Sequence, residues 1–103
     1  VALLAQAISM LECVGLSEEE ARDALLPLMQ GALSHAKGKP TAEALTGPVA
    51  RGDVAIIRRH LEAIEEQTPQ LLTTYKSLAR TGLDLKRDAL DATIVNELDE
   101  LLS

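Results

Sequence analysis

An all-α fold follows from three features of this sequence. Leu and Ala supply 34 of the 103 residues, and both are strong helix formers. Strand-favouring β-branched and aromatic residues are sparse, and Tyr75 is the single aromatic. Apolar residues recur at spacings of three and four along most of the chain, which is the period of a helix with one buried face. These features predict a bundle of about five helices. The length suits one domain with a modest core.

The first helix is expected from Val1 to about Val14, within "VALLAQAISMLECV". Its apolar residues cover most of the circumference. A helix of that kind is buried on more than one side, in a bundle centre or a subunit interface. Gly15 closes it. Cys13 lies in the apolar run and reads as a small buried hydrophobe; as the only cysteine it has no partner for an internal disulfide.

"SEEEARDALLPLMQGALSHAKG" is the second helix. Ser17 and Glu20 have capping-box spacing, and three glutamates suit the positive end of the helix dipole. Pro27 removes a donor inside the pattern, so a kink between Asp23 and Pro27 is expected. Gly38 ends the helix. "PTAEAL" is a short helical turn, and "TGPVARG" reads as a loop.

The third helix runs from Asp53, its N-cap, to about Gln67. Val54, Ile57, Leu61 and Ile64 form its stripe. Arg58 and Glu62 stand one turn apart and are expected to pair weakly. The fourth begins with Thr68 as N-cap and Pro69 at the first helical position. Leu71, Leu72, Tyr75, Leu78 and Ala79 are its expected buried face, and Gly82 weakens it without ending it. The last runs from Ala92 to Leu102 behind Asp91 as N-cap. It has Ile94, Val95, Leu98, Leu101 and Leu102 on one side.

The formal net charge of −6 argues against a nucleic-acid partner, since an acidic chain repels phosphate backbones. The N-terminal apolar run is too short and too interrupted to span a bilayer, and no basic leader precedes it. No membrane association and a cytoplasmic location are expected. The sequence opens without methionine inside an apolar run, which reads as the start of a fragment or of a C-terminal domain.

No phosphate-cradling glycine motif and no metal-ligand spacing is present. Asp84, Asp88 and Asp91 alternate with Lys86 and Arg87 as a solvated face. No nucleophile–base pair stands out, so catalytic residues are unassigned. The tripeptide Arg51–Gly52–Asp53 gives little support to adhesion, because Asp53 is explained as a helix cap. His35, near a helix C-terminus, receives no function, and His60 reads first as a structural residue.

The segment "LTGPVARGDV", Leu45 to Val54, is the one break in the helical pattern. Gly47 and Gly52 admit conformations closed to other residues, and Pro48 stiffens the chain between them. Arg51 stands just before a helix start. It makes either an anion-binding corner or a structural ion pair with a carboxylate.

"ALTGPVARGDVAIIRRHLEAI", Ala44 to Ile64, and "PQLLTTYKSLAR", Pro69 to Arg80, resemble a bacterial family. It pairs an N-terminal Rossmann-like domain with a helical C-terminal domain of unknown function. Its members are described as predicted NADP-dependent oxidoreductases. In layout they are similar to ketopantoate reductase, pyrroline-5-carboxylate reductase and 6-phosphogluconate dehydrogenase. The resemblance covers nearly the whole chain through the pattern T-G-P-x-x-R-G-D, a helix, and P-x-L-L-x-x-Y. It implies a fold like the C-terminal domain of 6-phosphogluconate dehydrogenase, a homodimer interface, and one wall of a substrate cleft. Thr46, Gly47, Pro48, Arg51 and Asp53 would face that cleft, with His60 a weaker candidate. The resemblance also implies a Rossmann-like domain outside residues 1–103. NADP is expected for the full-length protein, no cofactor for this fragment, and no activity for it alone. The alternative is a non-enzymatic helical module that binds other proteins.

Overall fold

The computed structural model describes all residues from Val1 to Ser103. It is all-α: 81% of residues are helical and there is no strand. Five helices are long. They are α1 (Ala2–Glu12), α2 (Glu18–Ala36), α5 (Val54–Gln67), α6 (Leu72–Lys86) and α7 (Ala92–Leu101). Two single turns, α3 (Thr41–Ala44) and α4 (Pro48–Arg51), lie between α2 and α5. Short 3-10 turns cover Pro69–Leu71 and Arg87–Ala89. Contacts gather into two compact units, Val1–Gly38 and Lys39–Ser103.

The first unit is a hairpin of α1 against α2. The capping box forms as its spacing predicts. The Glu20 N–H donates to Ser17 Oγ at 3.1 Å, and the Ser17 N–H donates to Glu20 Oε1 at 3.0 Å. The Ser17 N–H bond, with the Ser17 hydroxyl beside the carboxylate, favours the charged form and holds Glu20 below the usual carboxylate range. Gly15 takes φ +101° in the connecting turn, a conformation that favours glycine. The helix α2 is unbroken through Pro27 over its 19 residues. The expected kink does not interrupt it.

Two expectations for α1 change. Helix α1 stops at Glu12, and Cys13 falls in the turn, where it is exposed. The helix also buries only Ile8. Leu3, Met10 and Val14 are exposed, and so are Leu26, Leu28 and Leu33 of α2.

The second unit has its own core. Ile57 and Leu61 of α5, Ala79 and Leu83 of α6, and Leu98 and Leu102 from the α7 end are buried together. Val49, Leu90, Ile94 and Val95 pack around them. The stripes of α5 and α7 therefore face inward as their spacing predicts. Gly82 sits inside α6 because a Cβ there would lie 3.3 Å from Leu45 Cδ2 and 3.5 Å from Val49 Cγ1. The missing side chain lets α6 approach the segment holding α3 and α4.

Three expected details differ. Leu78 is 53% exposed, because Tyr75, Ala79 and Leu83 already fill the inward side of α6. Thr68 is buried but makes no side-chain cap. Instead its carbonyl accepts from the Leu71 N–H at 2.9 Å, closing a 3-10 turn before α6. Arg58 and Glu62 form no ion pair. Both are exposed, and water competes with such a pair.

Arg87 links the end of α6 to α7. Its Nε donates to Asp84 Oδ1 at 2.8 Å, and its two terminal nitrogens grip Asp99 at 2.9 and 2.7 Å. The guanidinium holds the Asp99 carboxyl below the ordinary carboxylate range. A depressed folded-state pKa stabilises the fold above the unfolded value, near 3.9, and that stabilisation is lost as pH falls through the folded value. Asp99→Asn is expected to flatten the acid limb of the stability–pH curve below about pH 4. Urea midpoints across that limb check this, and an unchanged slope would contradict it.

Candidate functional site

The segment from Leu45 to Val54 is a built corner rather than an open loop. Gly47, at φ +96°, starts α4, and Pro48 occupies its first turn. The Gly52 N–H donates to the Val49 carbonyl at 3.1 Å and the Asp53 N–H to the Pro48 carbonyl at 2.9 Å. With Gly52 left-handed at φ 66°, this is a Schellman ending. The chain turns straight into α5. Asp53 Oδ1 accepts from the Ile56 N–H at 3.3 Å, and the Asp53 carbonyl accepts from the Ile57 N–H at 3.1 Å. The sequence signal of two glycines flanking Pro48 and Arg51 therefore encodes a one-turn helix with both ends specified.

The back of the corner is packed. A Cβ on Gly52 would stand 2.9 Å from Ile94 Cγ2 and 3.1 Å from Leu90 Cδ2. Arg51 is exposed and forms an ion pair with no carboxylate. Thr46 is exposed, while Gly47, Pro48 and Asp53 are half-buried. Contiguity brings these five together.

His60 lies apart from them. It is seven residues beyond Asp53 along α5, or about 10 Å at helical rise. Its Nδ1 is 2.9 Å from the Tyr75 hydroxyl, and the two rings meet edge to face at 5.9 Å and 83°. Burial pushes the Tyr75 phenol up from its ordinary value. Tyr75 was legible only as part of a buried face. That its hydroxyl would reach an exposed histidine on α5 is a tertiary fact without a local signal.

A separate pocket of about 280 Å³ is lined by Leu72, Thr73, Lys76, Arg80 and Ser103. None of the candidate cleft residues Thr46, Gly47, Pro48, Arg51, Asp53 and His60 lines it. No group of three or more His, Cys, Asp or Glu side chains is arranged to hold a metal ion. No helix is long and apolar enough to cross a membrane.

These features define an all-helical domain with a glycine-bounded corner before its third long helix. The chain belongs to the family described as Domain of unknown function (DUF2520), which matches residues 1–81. That span takes in the whole first unit, the corner and most of α6. No curated protein and no solved structure matches the chain.

Proposed function

We propose that this domain forms the dimer contact and one substrate-cleft wall of an NADP-dependent oxidoreductase, working beside a Rossmann-like nucleotide domain. The observation that carries this reading is the apolar surface of residues 1–38. Leu28 and Leu33 are 68% and 75% exposed, and Leu3, Met10, Val14 and Leu26 are exposed with them. Exposed apolar surface in quantity marks a protein–protein contact. A second copy of the chain offers a self-complementary cover for it.

In this reading Thr46, Gly47, Pro48, Arg51 and Asp53 face the cleft, and His60 stands further along α5. Arg51 supplies the anion contact, and the absence of an intramolecular carboxylate partner supports that role. The Asp53 carboxylate serves the start of α5, so its part is to fix the corner that carries Arg51. In this reading NADP is held by the nucleotide domain, whose strand and glycine-rich turn would cradle its phosphates. When bound there, it supplies hydride chemistry. The catalytic acid or base of the reaction is unassigned.

The gene upstream of the Val1 codon is expected to encode a strand, a glycine-rich turn and a helix in a segment of domain size. The full-length product is expected to bind NADP. In that protein, Arg51→Ala should weaken an anionic substrate about 10- to 100-fold, the worth of one charge-assisted pair. Isothermal titration measures this. Unchanged binding and stability would defeat the cleft role, and a loss of stability alone would make Arg51 structural. A start codon directly before Val1 would instead favour a helical module that binds other proteins, which the same apolar surface also suits.

A further inference from the structure

We infer that Tyr75 and His60 supply the acid left unassigned above: the Tyr75 hydroxyl binds and protonates the carbonyl oxygen of an anionic substrate, and His60 restores its proton. This rests on the oxidoreductase reading and adds the substrate's reacting group to it. Both residues lie within the family match.

The pair and the Arg51 corner open on one groove between α5 and α6. Asp53, the cap of α5, and His60 are seven residues apart, close to two turns, so they share a face. Tyr75 and Gly82 stand in the same relation on α6. At one end of the groove His60 Nδ1 meets the Tyr75 hydroxyl at 2.9 Å. At the other, Leu45 and Val49 of the corner segment close on Gly82. The ends are about 10 Å apart at helical rise, and the long stem of Arg51 covers part of that distance. Leu78, one turn beyond Tyr75 and 53% exposed, gives the stretch between them an apolar side. A carboxylate or phosphate at Arg51 and a carbonyl at Tyr75 therefore fit one short molecule.

The pair also suits the proton's route. A hydride added to a carbonyl carbon pushes the π pair onto oxygen, and that oxygen takes a proton. The two electrons come from the reduced nicotinamide that the oxidoreductase reading requires. Burial pushes the Tyr75 phenol up, so the hydroxyl stays protonated and a phenolate left behind is disfavoured. His60 removes that cost. As Tyr75 gives its proton to the substrate oxygen, His60 Nδ1–H passes its own to the phenol oxygen. The other ring nitrogen, on an exposed residue, takes a proton from water. This order needs the hydrogen on His60 Nδ1 while the carbonyl is bound, because the single hydroxyl hydrogen cannot serve both partners.

The test is a titration of the 103-residue chain with 4-oxopentanoate, a carboxylate that carries a ketone, and with pentanoate, which lacks it. Both are run above the ordinary imidazole range. Nitrogen NMR of the His60 ring reports which nitrogen holds the hydrogen. Saturation with 4-oxopentanoate that brings His60 to the Nδ1–H form, with no such change under pentanoate, is the expected result. The ketone should tighten binding about two- to tenfold, the worth of one hydrogen bond. Tyr75→Phe keeps the ring and should erase that preference. The inference is overturned by no saturation, by an Nε2–H ring under both ligands, or by an unchanged preference in Tyr75→Phe. The ring signal of the unsubstituted chain decides the matter if Tyr75→Phe fails to fold. The parent reading fails separately. A full-length protein that binds no NADP overturns the proton step but leaves Tyr75 as a carbonyl contact, whereas NADP binding without the ketone-dependent change removes only the pair's role.

Discussion

Leu98→Ala is expected to destabilise the second unit by about 3–5 kcal/mol, because it empties a fully enclosed site. Leu98 is 0% exposed and packs in one cluster with Ile57, Leu61, Leu83 and Leu102. The loss combines the transfer free energy of the removed methyl groups with the cavity left behind. Leu78→Ala on the exposed side of α6 is the matched comparison and should change stability by less than about 0.5 kcal/mol. Urea unfolding of both variants measures the difference. Equal midpoints would mean that α7 is not part of the core. The result bears on the family as well, since Leu83, Leu98 and Leu102 all lie beyond the matched residues 1–81. The core of the second unit thus draws half of its buried members from sequence outside the family match.

Gly52→Ala is expected to cost about 2–4 kcal/mol from two sources. The left-handed conformation at φ 66° penalises any L side chain by about 1–2 kcal/mol. The added Cβ would also meet Ile94 Cγ2 at 2.9 Å and Leu90 Cδ2 at 3.1 Å, forcing the α7 side of the core to shift. Gly38 separates the two terms. It has φ +76° with nothing within 4 Å of an added Cβ, so Gly38→Ala carries the conformational cost alone. Thermal melts of the two variants should place Gly52→Ala well below Gly38→Ala. Coincident melts would show that the packing of Gly52 against α7 contributes nothing.

Much of this architecture was legible because it is local. Ser17 with Glu20, Asp53 and Asp91 all cap helices at the positions their spacing predicts. A cap depends on residues two or three apart, so the sequence carries its full geometry. The stripes of α5 and α7 were legible for the same reason. Details that depend on what stands opposite were not. Leu78 has the spacing of a buried residue, but Tyr75, Ala79 and Leu83 occupy the inward side. Cys13 continues an apolar run, yet the helix has already ended.

The candidate site divides the same way. The two glycines around Pro48 and Arg51 announced an unusual backbone, though not that it would wind into a helical turn with a Schellman ending. The approach of Ile94 and Leu90 to Gly52 joins residues about forty positions apart, and so does the choice of glycine there. The Tyr75–His60 contact and the Lys76–Arg80 pocket are likewise products of packing. Lys76 and Arg80 read as ordinary helix-surface cations until the end of α7 arrives beside them.

The proposed function turns on whether residues 1–38 meet a second copy of the chain. Sedimentation equilibrium of the 103-residue protein across a dilution series into the low micromolar range tests this most directly, with Leu28→Glu and Leu33→Glu alongside. A dimer that persists on dilution, and becomes a folded monomer when either exposed leucine is charged, is the predicted result. A folded monomer at every concentration in the unsubstituted protein would contradict the dimer reading.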